Sequence, residues 1–220
     1  MTAHWTDYYA QVARQGCDTL DFSTARQQME TWFAALKLAG EVQGRRVLDV
    51  GCGRGQFTAL LHTLGADLAY GVDATPELVF DARQRWPGCD FDVLELDDLR
   101  YLKPGRFDLV TCLEVLHVAE RASDAVVDLW RLVAPGGRMV VALWNLDSPF
   151  QDVELWHPPD APWSGLDEAA INPTLRRMAG LVSWRVQGLH VADDQRVEVF
   201  DSRRNFDPMP LSWLVVGVKS

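Results

Sequence analysis

A short apolar stretch, Val47 to Val50, runs straight into Gly51-Cys52-Gly53-Arg54-Gly55 and then into a helical spacing of Phe57, Leu60, Leu61 and Leu64. Three alternate glycines between a strand and a helix constrain this chain more than any other feature. Glycine adopts positive φ at no steric cost and lets backbone approach a ligand closely. The helix that follows offers backbone N–H groups and a partial positive charge at its start, which favour a carboxylate or phosphate. The spacing is G-x-G-x-G, whereas the dinucleotide fingerprint is G-x-G-x-x-G. Asp73 lies 22 residues beyond Gly51, at the end of the next apolar stretch. A carboxylate placed there can accept hydrogen bonds from ribose hydroxyls. The competing reading is a purely structural turn with a helix-capping aspartate.

Strands and helices alternate onward from Arg46. Asp67 to Val72, Phe91 to Leu94, Phe107 to Cys112 and Arg138 to Trp144 read as strands two to five. Thr75 caps a helix with Pro76 at its first position, and Ser123 caps another over Asp124 to Val133, closed by Pro135-Gly136-Gly137. Such alternation predicts right-handed crossovers and a mostly parallel, doubly wound α/β sheet with helices on both faces. Strands buried on both faces are apolar throughout, as in Met139-Val140-Val141-Ala142-Leu143. Upstream, Met29, Trp32, Phe33 and Leu36 fall on one helical face, with Ser23 as N-cap and Gly40 as stop. Downstream, Asn172-Pro173 opens a helix ending at Gly180. Arg185 to Val191 and Leu211 to Val218 are two last strands, and Asp193 to Pro210 reads as strand extension and turn.

The 220 residues suit one domain with a full core. Its expected parts are an N-terminal cap (1–44), a core (45–145), a proline-bearing lid (146–171) and a C-terminal helix with strands (172–220). Acidic residues outnumber basic ones by 31 to 21, which disfavours a nucleic-acid partner. No apolar run is long enough to span a membrane. The first residues do not read as a secretory signal, and the four cysteines form no CxxC pair. A cytoplasmic location is the expectation; the oligomeric state is left open.

VLDVGCGRG, GVDATPE, FDLVTCLEVLHV and LVAPGGRMVVALW, in this order, resemble the successive signature segments of class I, Rossmann-like S-adenosylmethionine-dependent methyltransferases. WLVVGVK resembles that family's last, antiparallel strand. The resemblance implies a seven-stranded sheet in the order 3-2-1-4-5-7-6 and S-adenosylmethionine as cofactor. It places Asp49 in support of the loop and near the amino group of the methionine moiety, with Gly51, Cys52 and Gly53 beneath that moiety. Asp73 would hold the ribose beside Ala74. Glu95, Leu96 and Asp97 resemble the adenine-binding loop, with either acid as the contact to the adenine amino group. Cys112 and Leu113 would line the cofactor near sulfur; core packing is the alternative for Leu113. Trp5 and Tyr8 belong to an aromatic stretch resembling one that closes over the cofactor.

Hydroxyl, thiol and ammonium acceptors must lose a proton, which calls for a base. His117 and Glu114, after the fourth strand, are the candidates, each with packing or helix-terminal duty as the alternative. Trp144, Trp156 and Trp163 are candidates for a flat substrate wall. Cys112 stands where metal-dependent catechol-type enzymes carry an Asp, and Thr111-Cys112-Leu113-Glu114 does not resemble the Asn-Pro-Pro-Tyr-like run of amino methyltransferases for adenine or glutamine, so both subclasses lose weight and no metal is expected. The expected reaction is methyl transfer to a small-molecule acceptor. The alternatives are an inactive S-adenosylmethionine-binding protein or another nucleotide-cofactor enzyme, such as a nicotinamide-dependent dehydrogenase.

Overall fold

The computed structural model describes residues 7, 9–11, 14, 22–144, 168–191, 197–201 and 212–220. The strands are β1 (Arg46–Val50), β2 (Leu68–Asp73), β3 (Asp90–Val93), β4 (Phe107–Leu113), β5 (Val133–Trp144), β6 (Leu181–Val191), β7 (Val197–Asp201) and β8 (Ser212–Lys219). The helices are α1 (Phe22–Ala39), α2 (Gln56–Thr63), α3 (Pro76–Arg85), α4 (Ala122–Leu132) and α5 (Glu168–Arg176). Short 3-10 turns follow β3 (Leu96–Tyr101) and β4 (Leu116–Val118).

These strands form one sheet in the order β3-β2-β1-β4-β5-β8-β6-β7. The first five are mutually parallel, and β8 inserts antiparallel between β5 and β6. The order expected from the resemblance is therefore present, with β8 in its seventh place. One strand is added: β7 pairs antiparallel with β6, from Gln187 opposite Asp201 to Val191 opposite Val197, inside the segment expected to extend a strand and turn. The sheet reverses direction of growth between β1 and β4, so a crevice opens at their C-terminal ends.

The apolar strands are buried on both sides. Leu48, Val50, Val110, Cys112, Met139 and Val141 pack with Leu129 and Trp130 of α4 and with Ile171 and Leu175 of α5. On the other side Val47, Leu109, Val140 and Ala142 pack with Ala35 and Leu38 of α1 and with Phe57 and Leu61 of α2.

Several boundaries differ from expectation. Helix α1 buries Thr31, Ala35, Leu38 and Ala39, while Met29 and Phe33 are 51% and 60% exposed. Small residues let the helix axis come close to the sheet, which leaves the bulky ones on its shoulder. Ser23 is inside α1 rather than its cap; Gly40, at φ 74°, ends it as expected. Arg138 of β5 donates to the carbonyls of Leu38 and Ala39 and so closes the helix end. Helix α4 starts at Ala122, with Arg121 rather than Ser123 at the N-cap. Helix α5 starts at Glu168 and carries Pro173 within it, so the expected lid overlaps a helix and Asn172-Pro173 does not open one. Pro135-Gly136-Gly137 falls within β5, where pairing with β4 jumps from Phe107–Val133 to Leu109–Arg138.

Candidate functional site

Four chain reversals meet at the crevice: those after β1, β2, β3 and β4. The first is the glycine turn. Gly51, Gly53 and Gly55 have φ of 74°, 54° and 79°, all in the region that side chains avoid. Each glycine has its own reason. A Cβ on Gly51 would lie 2.1 Å from Cγ2 of Val115, and one on Gly55 would lie 2.6 Å from Phe91. At Gly53 nothing lies within 4 Å, so the turn there faces open space. Backbone N–H groups of Gly51 and Cys52 both donate to the carbonyl of Val72, which pins the turn to β2. The Trp86 indole donates to the Arg54 carbonyl at 3.0 Å, and the Arg54 guanidinium pairs with Asp81 of α3. Helix α2 begins immediately after Gly55 with no side-chain cap on its first turn.

Asp73 closes the second reversal. Its Oδ2 accepts from the Gly53 N–H and its Oδ1 from the Thr75 N–H, both at 2.9 Å. Burial raises its pKa, while the N–H donors of Thr75, Gly53 and Ala74 lower it. Ala74 is half-buried beside it. The carboxylate thus ties the glycine turn to the start of α3. Leu94 N–H donates to the Asp73 carbonyl, which brings the reversal after β3 alongside. There Glu95 and Asp97 are exposed and Leu96 is half-buried.

Asp49 lies under the turn and is 3% exposed. Its Oδ2 accepts from the Thr58 hydroxyl at 2.7 Å and its Oδ1 from the Thr111 hydroxyl at 2.9 Å. Burial pushes its pKa up to about 6 against the opposing pull of the two hydroxyls. The supporting part of its expected role is therefore visible, whereas little of the carboxylate is open to a ligand.

The reversal after β4 holds the candidate bases. Glu114 has φ 59°, the one non-glycine residue with positive φ among the described residues. For an L-residue such a conformation costs about 1–2 kcal/mol and concentrates at functional sites. Its carboxylate accepts from Thr31 of α1 at 3.3 Å, and burial raises its pKa. His117 is buried, with Nε2 3.2 Å from the Tyr9 hydroxyl. Tyr9, Leu96 and Val115 all pack against Val118, so the N-terminal segment joins the cluster at the fourth reversal.

Cys112 does not line the crevice. Its side chain is fully buried in the core, and burial raises its thiol pKa far above the usual range. Strand alternation explains this: Cys112 shares the face of Val110, while half-buried Leu113 shares that of Leu109 and Thr111. Cys52 is also buried, beside Val79, Ala82 and Phe91. Trp5, Tyr8, Trp156 and Trp163 lie outside the described residues, as does the side chain of Trp144.

Sequence reasoning missed Thr31, Thr58, Thr111 and Val115, and placed Tyr9 only within the closing aromatic stretch, without its partner. A polar residue inside an apolar strand was a signal for Thr111. Thr31 carried none, and nothing paired Tyr9 with His117, because their partners are 83 and 108 residues away.

Residues 48–141 match the family model described as a methyltransferase domain. A curated ubiquinone biosynthesis O-methyltransferase from Xanthomonas euvesicatoria is 36% identical over 109 residues, which are 48% of this chain and 45% of that protein. The chain thus spans less than half the length of this relative. Among solved structures, magnesium protoporphyrin IX methyltransferase from Synechocystis with bound S-adenosylhomocysteine aligns at TM-score 0.65 and 20% identity, over 99% of this chain and 95% of that one. The N-methyltransferase NodS from Bradyrhizobium japonicum, also with S-adenosylhomocysteine, aligns at TM-score 0.62 and 17% identity, over 96% and 98%. At these identities the likeness to the solved structures is one of fold.

Proposed function

We propose that this protein, whose residues 48–141 match the methyltransferase-domain family model, is a class I enzyme that transfers a methyl group from S-adenosylmethionine to a small-molecule acceptor. One observation carries this reading: the positive-φ turn at Gly53 faces open space while its N–H is held by Asp73, at the mouth of the sheet's reversal point. An amino-acid tail laid against this turn would meet no side chain at Gly53, and a carboxylate at its rim suits ribose hydroxyls. The residues present therefore fit the cofactor.

When bound, S-adenosylmethionine supplies an activated methyl group on a sulfonium leaving group. The protein's part is placement and proton handling. Gly51, Cys52 and Gly53 pass beneath the methionine moiety, with α2 directing its N-terminal end at the carboxylate. Asp73 grips the ribose, Ala74 and Leu96 flank the adenine, and Glu95 or Asp97 meets its amino group. Leu113 contributes an apolar wall near sulfur, where exclusion of water favours loss of charge. Trp5 and Tyr8 belong to the closing segment, and Trp144, Trp156 and Trp163 to the acceptor side.

His117 accepts the acceptor's proton. The Tyr9 hydroxyl on its Nε2 supports this by fixing the ring. Glu114 is the second candidate at that rim; its strained backbone and Thr31 contact support a role in orienting the acceptor. An oxygen acceptor is the first to test, given what the Xanthomonas relative is named for. The experiment is incubation of the purified protein with S-adenosylmethionine labelled in its methyl group and a panel of phenols, amines and thiols. Labelled product from one acceptor class supports the reading. Tight S-adenosylhomocysteine binding without product from any acceptor would favour a non-catalytic binding protein.

A further inference from the structure

We propose that Asp81 of α3 and Trp86 at its end are positioning residues for the cofactor: they hold Arg54 by its side chain and by its carbonyl, and so fix the glycine turn in the shape that receives an amino-acid tail. This rests on the S-adenosylmethionine reading and adds what keeps the turn in place from outside it.

The turn itself is tight. The Gly55 N–H closes it on the Cys52 carbonyl at 2.9 Å, and Asp73 takes the Gly53 N–H. Arg54 lies between these two points, and its carbonyl and guanidinium both reach to α3. The Trp86 indole N–H donates to the carbonyl at 3.0 Å. A half-buried indole N–H needs an acceptor, and this carbonyl supplies one. Asp81 uses both oxygens: Oδ2 accepts from Arg54, and Oδ1 from Arg85 at 2.9 Å, one helical turn further on. A Cβ on Gly55 would lie 2.6 Å from Phe91 and 3.0 Å from Trp86, so both rings pack directly against the turn. Cys52 of the turn, Val79 and Ala82 of α3 and Phe91 of β3 form one apolar cluster, with Trp86 at its edge.

An arginine inside a glycine turn is a natural partner for an anionic ligand. Here Asp81 balances it instead. The two side chains are 12% and 24% exposed, which shields the pair from solvent more than an ordinary surface pair. Burial raises the Asp81 pKa, the Arg54 and Arg85 guanidiniums lower it, and the net result lies below the usual carboxylate range. The ligand's carboxylate is then left to backbone N–H groups of the turn and to the start of α2. How those groups point depends on how Arg54 is held. A loop already fixed in its bound shape costs less to order on binding, which raises affinity. The subsites assigned to ribose and adenine, at Asp73 and after β3, do not involve Arg54, so the effect falls on the tail.

The test is calorimetric titration of the full chain with S-adenosylhomocysteine and with methylthioadenosine, which has the nucleoside and the sulfur but no amino-acid tail. Asp81→Ala is expected to lower S-adenosylhomocysteine affinity about tenfold. Trp86→Phe is expected to lower it about fivefold, the effect of one lost hydrogen bond. Both should leave methylthioadenosine affinity within about twofold of the wild type. Asp81→Glu, which keeps the charge, is expected to retain most of the S-adenosylhomocysteine affinity. A merely structural role would lower both affinities together, and that result would overturn the proposal. So would unchanged S-adenosylhomocysteine affinity in both variants, or tighter binding in Asp81→Ala, which would make Arg54 a direct ligand of the carboxylate. Trp86→Phe keeps an aromatic ring against Gly55 and carries the comparison if Asp81→Ala does not fold. Hydrogen exchange of the Gly55 amide in ligand-free protein reads the hold where methylthioadenosine binds too weakly to measure; it should quicken in both variants, and an unchanged rate would count equally against the proposal. Wild-type protein that binds neither ligand would sink the cofactor reading and this proposal with it; normal wild-type binding beside losses that ignore the tail would sink this proposal alone.

Discussion

Alanine at Gly51 and alanine at Gly53 are expected to fail in opposite ways. At Gly51 the backbone is at φ 74° and the new Cβ would come within 2.1 Å of Val115. The conformation costs an L-residue about 1–2 kcal/mol, and forced overpacking about 1–3 kcal/mol. Gly51→Ala should thus lose about 2–5 kcal/mol of stability. For a chain of this size each kcal/mol lowers Tm by about 2–4 °C, so a fall of about 4–20 °C is expected. Val115→Ala in the same chain removes the two closest contacts, at 2.1 and 2.8 Å, and leaves only the Val115 Cβ at 2.9 Å, so it relieves most of the collision. A double-mutant cycle between the two positions should show a favourable coupling of about 1–3 kcal/mol. At Gly53 the φ of 54° carries the same conformational cost, but nothing lies within 4 Å of the added methyl group. Gly53→Ala should therefore unfold within about 1–2 kcal/mol of the wild type. Its methyl group fills the space assigned to the methionine tail, so S-adenosylhomocysteine affinity should drop about 100-fold, equivalent to about 2.7 kcal/mol. Thermal unfolding reads the first half and calorimetry the second. Zero coupling between Gly51 and Val115, or wild-type affinity in Gly53→Ala, would refute the reasoning.

Asp49→Asn should alter the pH dependence of folding in a definite direction. The Asp49 pKa is raised on folding, to about 6 from 3.8, so its favourable contribution is complete below pH 3.8 and disappears as pH rises through 6. Relative to the wild type, the variant should gain about 3 kcal/mol between those limits, measured by denaturant unfolding at each pH; a difference independent of pH would contradict this. His117→Gln should lower turnover by about 10²–10⁴-fold while leaving S-adenosylhomocysteine affinity intact, as expected for loss of a base. Tyr9→Phe should lower turnover less, by about fivefold, through one lost hydrogen bond of about 1 kcal/mol. Normal rates in His117→Gln would return that residue to packing.

The glycine turn was legible because residue identity there is dictated by backbone and contact: Gly51 against Val115, Gly55 against Phe91, Gly53 against nothing. The strand order followed from alternation and resemblance together. What was not legible depended on distant partners. Tyr9 reaches His117 and Thr31 reaches Glu114 only after α1 and the N-terminal segment dock on the crevice. The buried face of α1 was misread because helical spacing weighs side-chain size, whereas close approach to β5 selects Ala35 and Ala39 over Met29 and Phe33. Cys112 and Leu113 were read together as lining the cofactor, but strand alternation turns their side chains to opposite faces of the sheet, and that of Cys112 is fully buried in the core. Strand β7 carried a period-two signal in Val197-Glu198-Val199, but its pairing with β6 is a tertiary fact.

The most direct test is a crystal structure of the protein with S-adenosylhomocysteine. The homocysteine tail should lie against Gly51 to Gly53, with both ribose hydroxyls on the Asp73 carboxylate and the sulfur facing Leu113. A nucleotide bound away from these residues, or none bound at saturating concentration, would contradict the account.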